Sequence, residues 1–252
     1  MMDAMPGHDR KVQRQKVFIA GASGVIGMRL CRLLVKGGWP VTGATRSEDK
    51  VPQLRALGVM PCVVDVFDAT ALQRVVVEAE PGIVVHQLTD LPDALDPMKM
   101  EVARVRNTRI RDIGTRNLIA AAMAAGAGRL IVQSIAFAYA DGKLPHTEDD
   151  PLNLHAGGSA GLSAHGVSRL ESQVLAAPID SVVLRYGKLY GPGTGFELPP
   201  AGGPLHADAA ADAARRALTR GHGIYNIAEA DGTVSILRAI TDLDWDPDYR
   251  LT

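Results

Sequence analysis

The stretch KVFIAGASGVIGMRLCRLL, Lys16–Leu34, decides how the chain is read. A short β-branched run ends at Ala20, three glycines follow at Gly21, Gly24 and Gly27, and an amphipathic segment takes over from Val25. A strand that turns sharply into a helix needs a residue free to adopt positive φ at the turn and no side chain where two backbones approach. In the first βα unit of a parallel sheet such glycines also leave room for a pyrophosphate, and the free N–H groups of the helix start favour an anion. Gly21 is read as the turn, Gly24 as the point of phosphate approach and Gly27 as the close helix contact.

Working outward, short apolar runs alternate with longer amphipathic ones. Strands are expected at Lys16–Ala20, Pro40–Ala44, Met60–Val64, Ile83–Gln87, Leu130–Gln133 and Ser181–Arg185. Helices are expected at Val25–Lys36, Glu48–Leu57, Ala69–Glu78, Glu101–Ala125 and Ser163–Ala176, with Ser47 and Asp68 as N-caps. A further helix at Ala207–Thr219, a strand at Gly223–Ile227 and a helix at Val234–Leu243 close the chain. Strands apolar on both faces that alternate with helices belong to a doubly wound α/β fold with a parallel sheet, whose ligands bind at the C-terminal rim of the strands. The domain reading is a flexible N-terminus at 1–14, a nucleotide-binding domain at 15–185, and a small C-terminal substrate-side region at 186–252 packed on it. The Gly- and Pro-rich stretches Asp141–Ser163 and Gly191–Gly203 are expected to wall the substrate pocket.

Composition removes several classes of function. With 252 residues, 46% hydrophobic and 22% charged, the chain can bury a full core, and a formal net charge of −1 supplies no long-range field for a nucleic acid. No apolar run approaches the roughly 18 residues that span a bilayer. The start MMDAMPGHDRKVQRQ lacks the apolar centre of a signal peptide, which points to a cytoplasmic protein. Cys31 and Cys62 have no metal-ligand neighbours at suitable spacing and are expected to be buried thiols, and no metal site is expected.

GASGVIG (Gly21–Gly27), VVDVFDA (Val63–Ala69), GTRNLIAAAMAAGAGRLIVQS (Gly114–Ser134) and LRYGKLYGPGTG (Leu184–Gly195) together resemble the short-chain dehydrogenase/reductase superfamily, in its NAD-dependent epimerase/dehydratase branch. The resemblance implies a Rossmann-type sheet, a nicotinamide dinucleotide and a small-molecule substrate. Gly21, Ser23, Gly24, Val25, Ile26 and Gly27 would hold the pyrophosphate, Asp65 and Val66 the adenine, and His86, Gln87 and Leu88 would run past the ribose and nicotinamide side. At the end of the second strand Arg46 and Ser47 stand where an NAD site offers a carboxylate, so NADP(H) is favoured over NAD(H).

The catalytic pattern departs from this family. Its Ser, Tyr and Lys, the last two as YxxxK on one helix, are missing. Aligning HGVSR (His165–Arg169) with the usual YxxSK puts His165 at the tyrosine and Arg169 at the lysine. His165 would then be a substitute acid and Arg169 a ribose contact; the alternative is that both are surface groups. Ser134 lies one residue before the serine position, and Tyr139 and Tyr186 are further phenols beside the pocket and candidate proton donors, Tyr186 also being a candidate cofactor contact. The functional reading is an NADP(H)-dependent oxidoreductase or epimerase/dehydratase-like protein acting on a small polar carbonyl or hydroxy substrate. Its alternative is a catalytically silent dinucleotide sensor. A homodimer through the long Glu101–Ala125 helix is a further expectation.

Overall fold

The computed structural model describes residues 14–92 and 95–251. The flexible N-terminus expected at 1–14 lies outside these residues except for Arg14.

Strands β1 (Val17–Ala20), β2 (Val41–Thr45), β3 (Met60–Val63), β4 (Ile83–His86), β5 (Arg129–Ile135), β6 (Asp180–Tyr186) and β9 (Gly223–Ile227) form one parallel sheet in the order β3-β2-β1-β4-β5-β6-β9. Alternation along β1 shows why it needs cover on both sides: Val17 and Ile19 face one apolar layer, Phe18 and Ala20 the other. The first layer is closed by α1 (Val25–Lys36) and α7 (Ala207–Ala217), which pack together through the alanine-rich face of α7. The second is closed by α3 (Ala69–Ala79), α5 (Thr115–Ala124) and α6 (Gly158–Ala176). Reversal of strand order between β1 and β4 leaves a crevice at the C-terminal rim.

The structure differs from expectation in several details. β6 runs to Tyr186, and β9, the strand expected at Gly223–Ile227, pairs with it in the same sheet. Between them β7 (Lys188–Tyr190) and β8 (Pro204–His206) form a small parallel pair outside the sheet, missed because three-residue strands carry no period. Ser47 makes no capping hydrogen bond; its N–H donates instead to Thr45 Oγ1 at 3.3 Å, whereas Asp68 does cap α3, accepting from Ala71 N–H at 2.9 Å. The segment 48–57 is a 3₁₀ turn, Glu48–Lys50, followed by the short α2 (Val51–Ala56). The last helix, α8, is shorter than expected at Leu237–Leu243.

The long helix expected at Glu101–Ala125 is α4 (Met100–Arg109) and α5 joined by a π-helical turn, Ile110–Gly114. Such turns insert one residue into a helix and recur at functional sites. Here the turn carries Ile110 to the rim and brings Gly114 against Val66. Cys31 is fully buried, and burial pushes its thiol up to about 12. Cys62 is only half-buried, a departure from expectation, and burial pushes its thiol up to about 11.

Candidate active site

At the rim of β1–β4 lies a cavity of about 300 Å³. Its floor is the glycine turn, with Gly21, Ser23 and Gly24; one wall comes from β2 and the residues after it, Thr45, Arg46, Ser47 and Lys50. The opposite walls are Asp65, Val66 and Phe67 after β3, and Gln87, Leu88 and Thr89 after β4.

The three glycines divide their work as their surroundings dictate. Gly21 has φ +85°, and a Cβ there would collide with the Gln87 carbonyl; one at Gly27 would collide with the Gly21 carbonyl and the Ala22 backbone. Both positions are closed by the fold itself. Gly24 is different: it is exposed, and its Cβ would meet only the Gly21 carbonyl oxygen at 3.4 Å. Nothing in the protein requires glycine at 24, so the bare backbone serves what lies outside it. Gly24 is the N-cap of α1 and offers no side-chain cap, which leaves the first N–H groups of the helix free for an anion. A dinucleotide pyrophosphate fits this cradle. Val25 begins the helix at the surface, while Ile26 is directed into the core, so Ile26 has only its backbone to give.

The end of the cavity beside β3 is lined by Val66, Phe67, Leu72 and Ile110, with the exposed Asp65 carboxylate at its edge, accepting from Phe67 N–H at 2.9 Å. Ser23 and Thr45 join β1 to β2 across the floor, hydroxyl to hydroxyl at 2.9 Å. Arg46 donates to Asp90 at 2.6 Å, a pair that links the loop after β2 with the loop after β4. The Arg46 hydrogen bond, with its positive charge, holds the Asp90 carboxyl below its ordinary range, and Asp90 raises Arg46 in turn. Lys50, Thr45, Phe67, Thr89, Asp90 and Ile110 were missed in the sequence. The first two were legible from their nearness to the end of β2; Ile110 depends on the π turn and Asp90 on a loop conformation, for which local sequence has no signal.

His86 does not line the cavity. It is 1% exposed, its Nε2 lies 3.3 Å from Thr115 Oγ1, and burial lowers its pKa to about 4. It is a neutral core histidine that fixes the end of β4.

Around α6 the expected catalytic residues are scattered. The sheet-facing stripe of α6 is Ala164, Val167, Leu170, Glu171 and Val174, which turns His165 and Arg169 to the exposed side. Arg169 donates to Asp112 at 2.8 Å on the outer surface, and neither residue lines the glycine-rich cavity. Ser134 is buried and donates to Glu171 Oε1 at 2.8 Å. Tyr139 donates to Asn226 at 2.6 Å and accepts from Arg185 at 2.7 Å, so its hydroxyl is fully engaged. Tyr186, 3% exposed at the end of β6, accepts from Gln87 Nε2 at 3.2 Å. Burial pushes its phenol well above the usual range, so it stays protonated and is a poor acid. Among the described residues no His, Cys, Asp and Glu cluster has metal-site geometry.

Glycine cradle, strand order and anion-binding helix start define a nicotinamide-dinucleotide fold. The family model described as NAD(P)H-binding matches residues 21–216, and the chain belongs to that family. A curated relative, the 3-diazoavenalumate denitrifying reductase of a Streptomyces species, is 40% identical over 185 residues, 72% of this chain; the matched part spans 58% of that relative's length. In three dimensions the fold is that of the NAD-dependent epimerases. The Thermotoga maritima UDP-glucose 4-epimerase, solved with UDP-glucose, superposes with a TM-score of 0.74 at 17% identity, covering 93% of this chain and 94% of that one. The Bordetella bronchiseptica enzyme WbmG, in complex with NAD and UDP, gives 0.74 at 16% identity, covering 97% and 92%.

Proposed function

We propose that the chain is an NADP(H)-dependent reductase of a small polar acceptor that receives hydride without a side-chain acid at the usual helix position. Bound on the glycine turn, a reduced nicotinamide dinucleotide supplies the hydride. The protein's own residues bind and orient. Gly24 and the start of α1 hold the pyrophosphate, and Val66, Phe67 and Ile110 enclose the adenine. Arg46, Ser47 and Lys50 offer charge and a hydroxyl to a 2′-phosphate.

One observation carries the reading. The binding half of the rim is open, while each expected acid is engaged elsewhere, faces outward or is buried: His165 and Arg169 on the surface, Ser134 on Glu171, Tyr139 between Arg185 and Asn226, and Tyr186 in the interior with its phenol pushed far above the usual range. Reduction of a carbonyl develops negative charge on oxygen and calls for a proton. Addition of hydride to a diazonium-like terminus neutralises positive charge and calls for none. The relative named for reducing a diazo compound makes that acceptor class the first to test, ahead of activated carbonyls. The silent-sensor reading draws on the same missing relay and differs in outcome.

The deciding experiment follows nicotinamide absorbance with NADPH and NADH over aromatic diazo compounds and small carbonyls. Turnover on the diazo set with NADPH is the expected result; saturable binding with no turnover on any acceptor supports the sensor instead. A homodimer is part of the proposal, supported by the exposed apolar side chains of Met98, just before α4, and of Val102 and Val105 on it, and sedimentation tests it. No helix among the described residues is long and apolar enough to cross a membrane.

A further inference from the structure

Among the described residues one buried side-chain polar atom lacks a hydrogen-bond partner, Gln87 Oε1. Gln87 follows β4 directly, is 5% exposed and belongs to the lining of the cofactor cavity, with its carbonyl against Gly21. Its Nε2 spans the end of β5 to reach the Tyr186 hydroxyl at 3.2 Å, and that hydroxyl makes no other side-chain hydrogen bond among the described residues. Turning the amide over exchanges its O and N and leaves the same balance: one end of a carboxamide and one side of a hydroxyl unused. Buried polar groups are nearly always paired, and an unpaired one carries its full desolvation cost. Leucine or phenylalanine at either position would avoid that cost.

The place of the pair says what completes it. In the sheet order the adenosine walls belong to β2 and β3, and the glycine turn follows β1. A dinucleotide with its pyrophosphate on α1 therefore extends its other half over the ends of β4, β5 and β6, where Gln87 and Tyr186 meet. That half ends in a carboxamide, which presents one N–H donor face and one carbonyl acceptor. Gln87 Oε1 needs a donor, and the Tyr186 O–H is free to serve an acceptor.

We propose that Gln87 and Tyr186 are the docking pair for the nicotinamide carboxamide, Gln87 accepting from its NH₂ and Tyr186 donating to its oxygen. The inference rests on the dinucleotide reading above. It assigns to these two residues the orientation of the reacting ring, and it accounts for polar groups where the interior otherwise calls for apolar ones.

Calorimetric titration with three probes tests it: NADP⁺, its analogue with nicotinic acid in place of nicotinamide, and adenosine 2′,5′-bisphosphate. The analogue has a carboxylate and no N–H to give Gln87. Wild type is expected to prefer NADP⁺ over the analogue by about tenfold or more, and Gln87→Leu to lose about tenfold for NADP⁺ so that the two become nearly equal. Adenosine 2′,5′-bisphosphate should bind both proteins alike. The double variant Gln87→Leu with Tyr186→Phe, which removes both buried polar groups, should unfold at or above the wild-type temperature while showing the same loss for NADP⁺. Undiminished preference in Gln87→Leu, or equal weakening toward all three probes, would overturn the assignment. Failure of wild type to bind either NADP⁺ or NAD⁺ would instead overturn the dinucleotide reading itself, and the pair's role with it.

Discussion

The two halves of the rim are built on opposite principles. Over β1–β4 the polar groups point into a cavity or lie at its edge: Ser23, Thr45, Arg46, Ser47, Lys50, Asp65 and the start of α1. Over β5, β6 and β9 they close on one another. Arg185 makes a two-pronged pair with Glu171 at 2.9 and 2.7 Å, with the side chains 4% and 6% exposed. Ser134, Tyr139, the Glu148 carbonyl and Asn226 fill the remaining positions around it. The first half is arranged to receive a ligand. The second locks α6, β5, β6 and the 141–157 loop together, and in doing so engages the serine and the first tyrosine that a proton relay would draw on.

Breaking the locked half gives the largest expected effect. Glu171→Ala leaves the Arg185 guanidinium buried and uncompensated, and urea unfolding should show a loss of about 3–5 kcal/mol. Replacing the pair by Leu and Met together should cost much less, because no charge is then stranded. A double variant as unstable as the single one would mean that packing, and not charge, holds this half.

A pH series probes the hinge between the halves. His86 titrates near 4 in the folded protein against 6.5 unfolded, burial being the main cause. The unfolded chain takes up the proton first as the pH falls, so the contribution of His86 is whole above pH 6.5, is lost progressively down to about 4, and is constant below. Compared with His86→Asn, wild type should lose about 3 kcal/mol of stability across that window. Parallel pH profiles would place a charged or hydrated histidine there.

On the open half, Arg46→Ala should weaken NADPH by about 1–3 kcal/mol and NADH little, the usual worth of a charge-assisted contact. Asp90→Asn frees Arg46 from its 2.6 Å partner and should shift affinity the other way, toward NADPH. Equal loss for both cofactors in the Arg46 variant would remove the phosphate argument. The smallest effect is expected at His165: because it lies on the exposed side of α6, His165→Phe should change turnover by less than about threefold, far from the 10²- to 10⁴-fold of a general acid. A drop in that range would return the proton donor to α6.

The sequence made the open half legible because its signals are local. Gly21, Gly24 and Gly27 sit between a strand and a helix, and each conformational demand is met within a few residues. The register of α6 was also there to be read: Ala164, Val167, Leu170 and Val174 recur with helical period and leave His165 and Arg169 off the apolar stripe. Alignment with YxxSK preserved their one-turn spacing and concealed the face they occupy. The Glu171–Arg185–Tyr139–Asn226 network had no such signal, since its members are brought together by β6 and β9 from positions far apart in the chain. Likewise β9 is an ordinary short strand in sequence, and only pairing with β6 makes it the seventh of the sheet.

The central claim is that Gly24 is glycine for the sake of a dinucleotide and not for the fold. Gly24→Val should therefore unfold at nearly the wild-type temperature, since its Cβ approaches only one carbonyl oxygen, at 3.4 Å. Calorimetric titration with NADPH should show saturable binding to wild type and none to Gly24→Val. Undiminished binding by the folded variant would place the dinucleotide elsewhere and contradict the account.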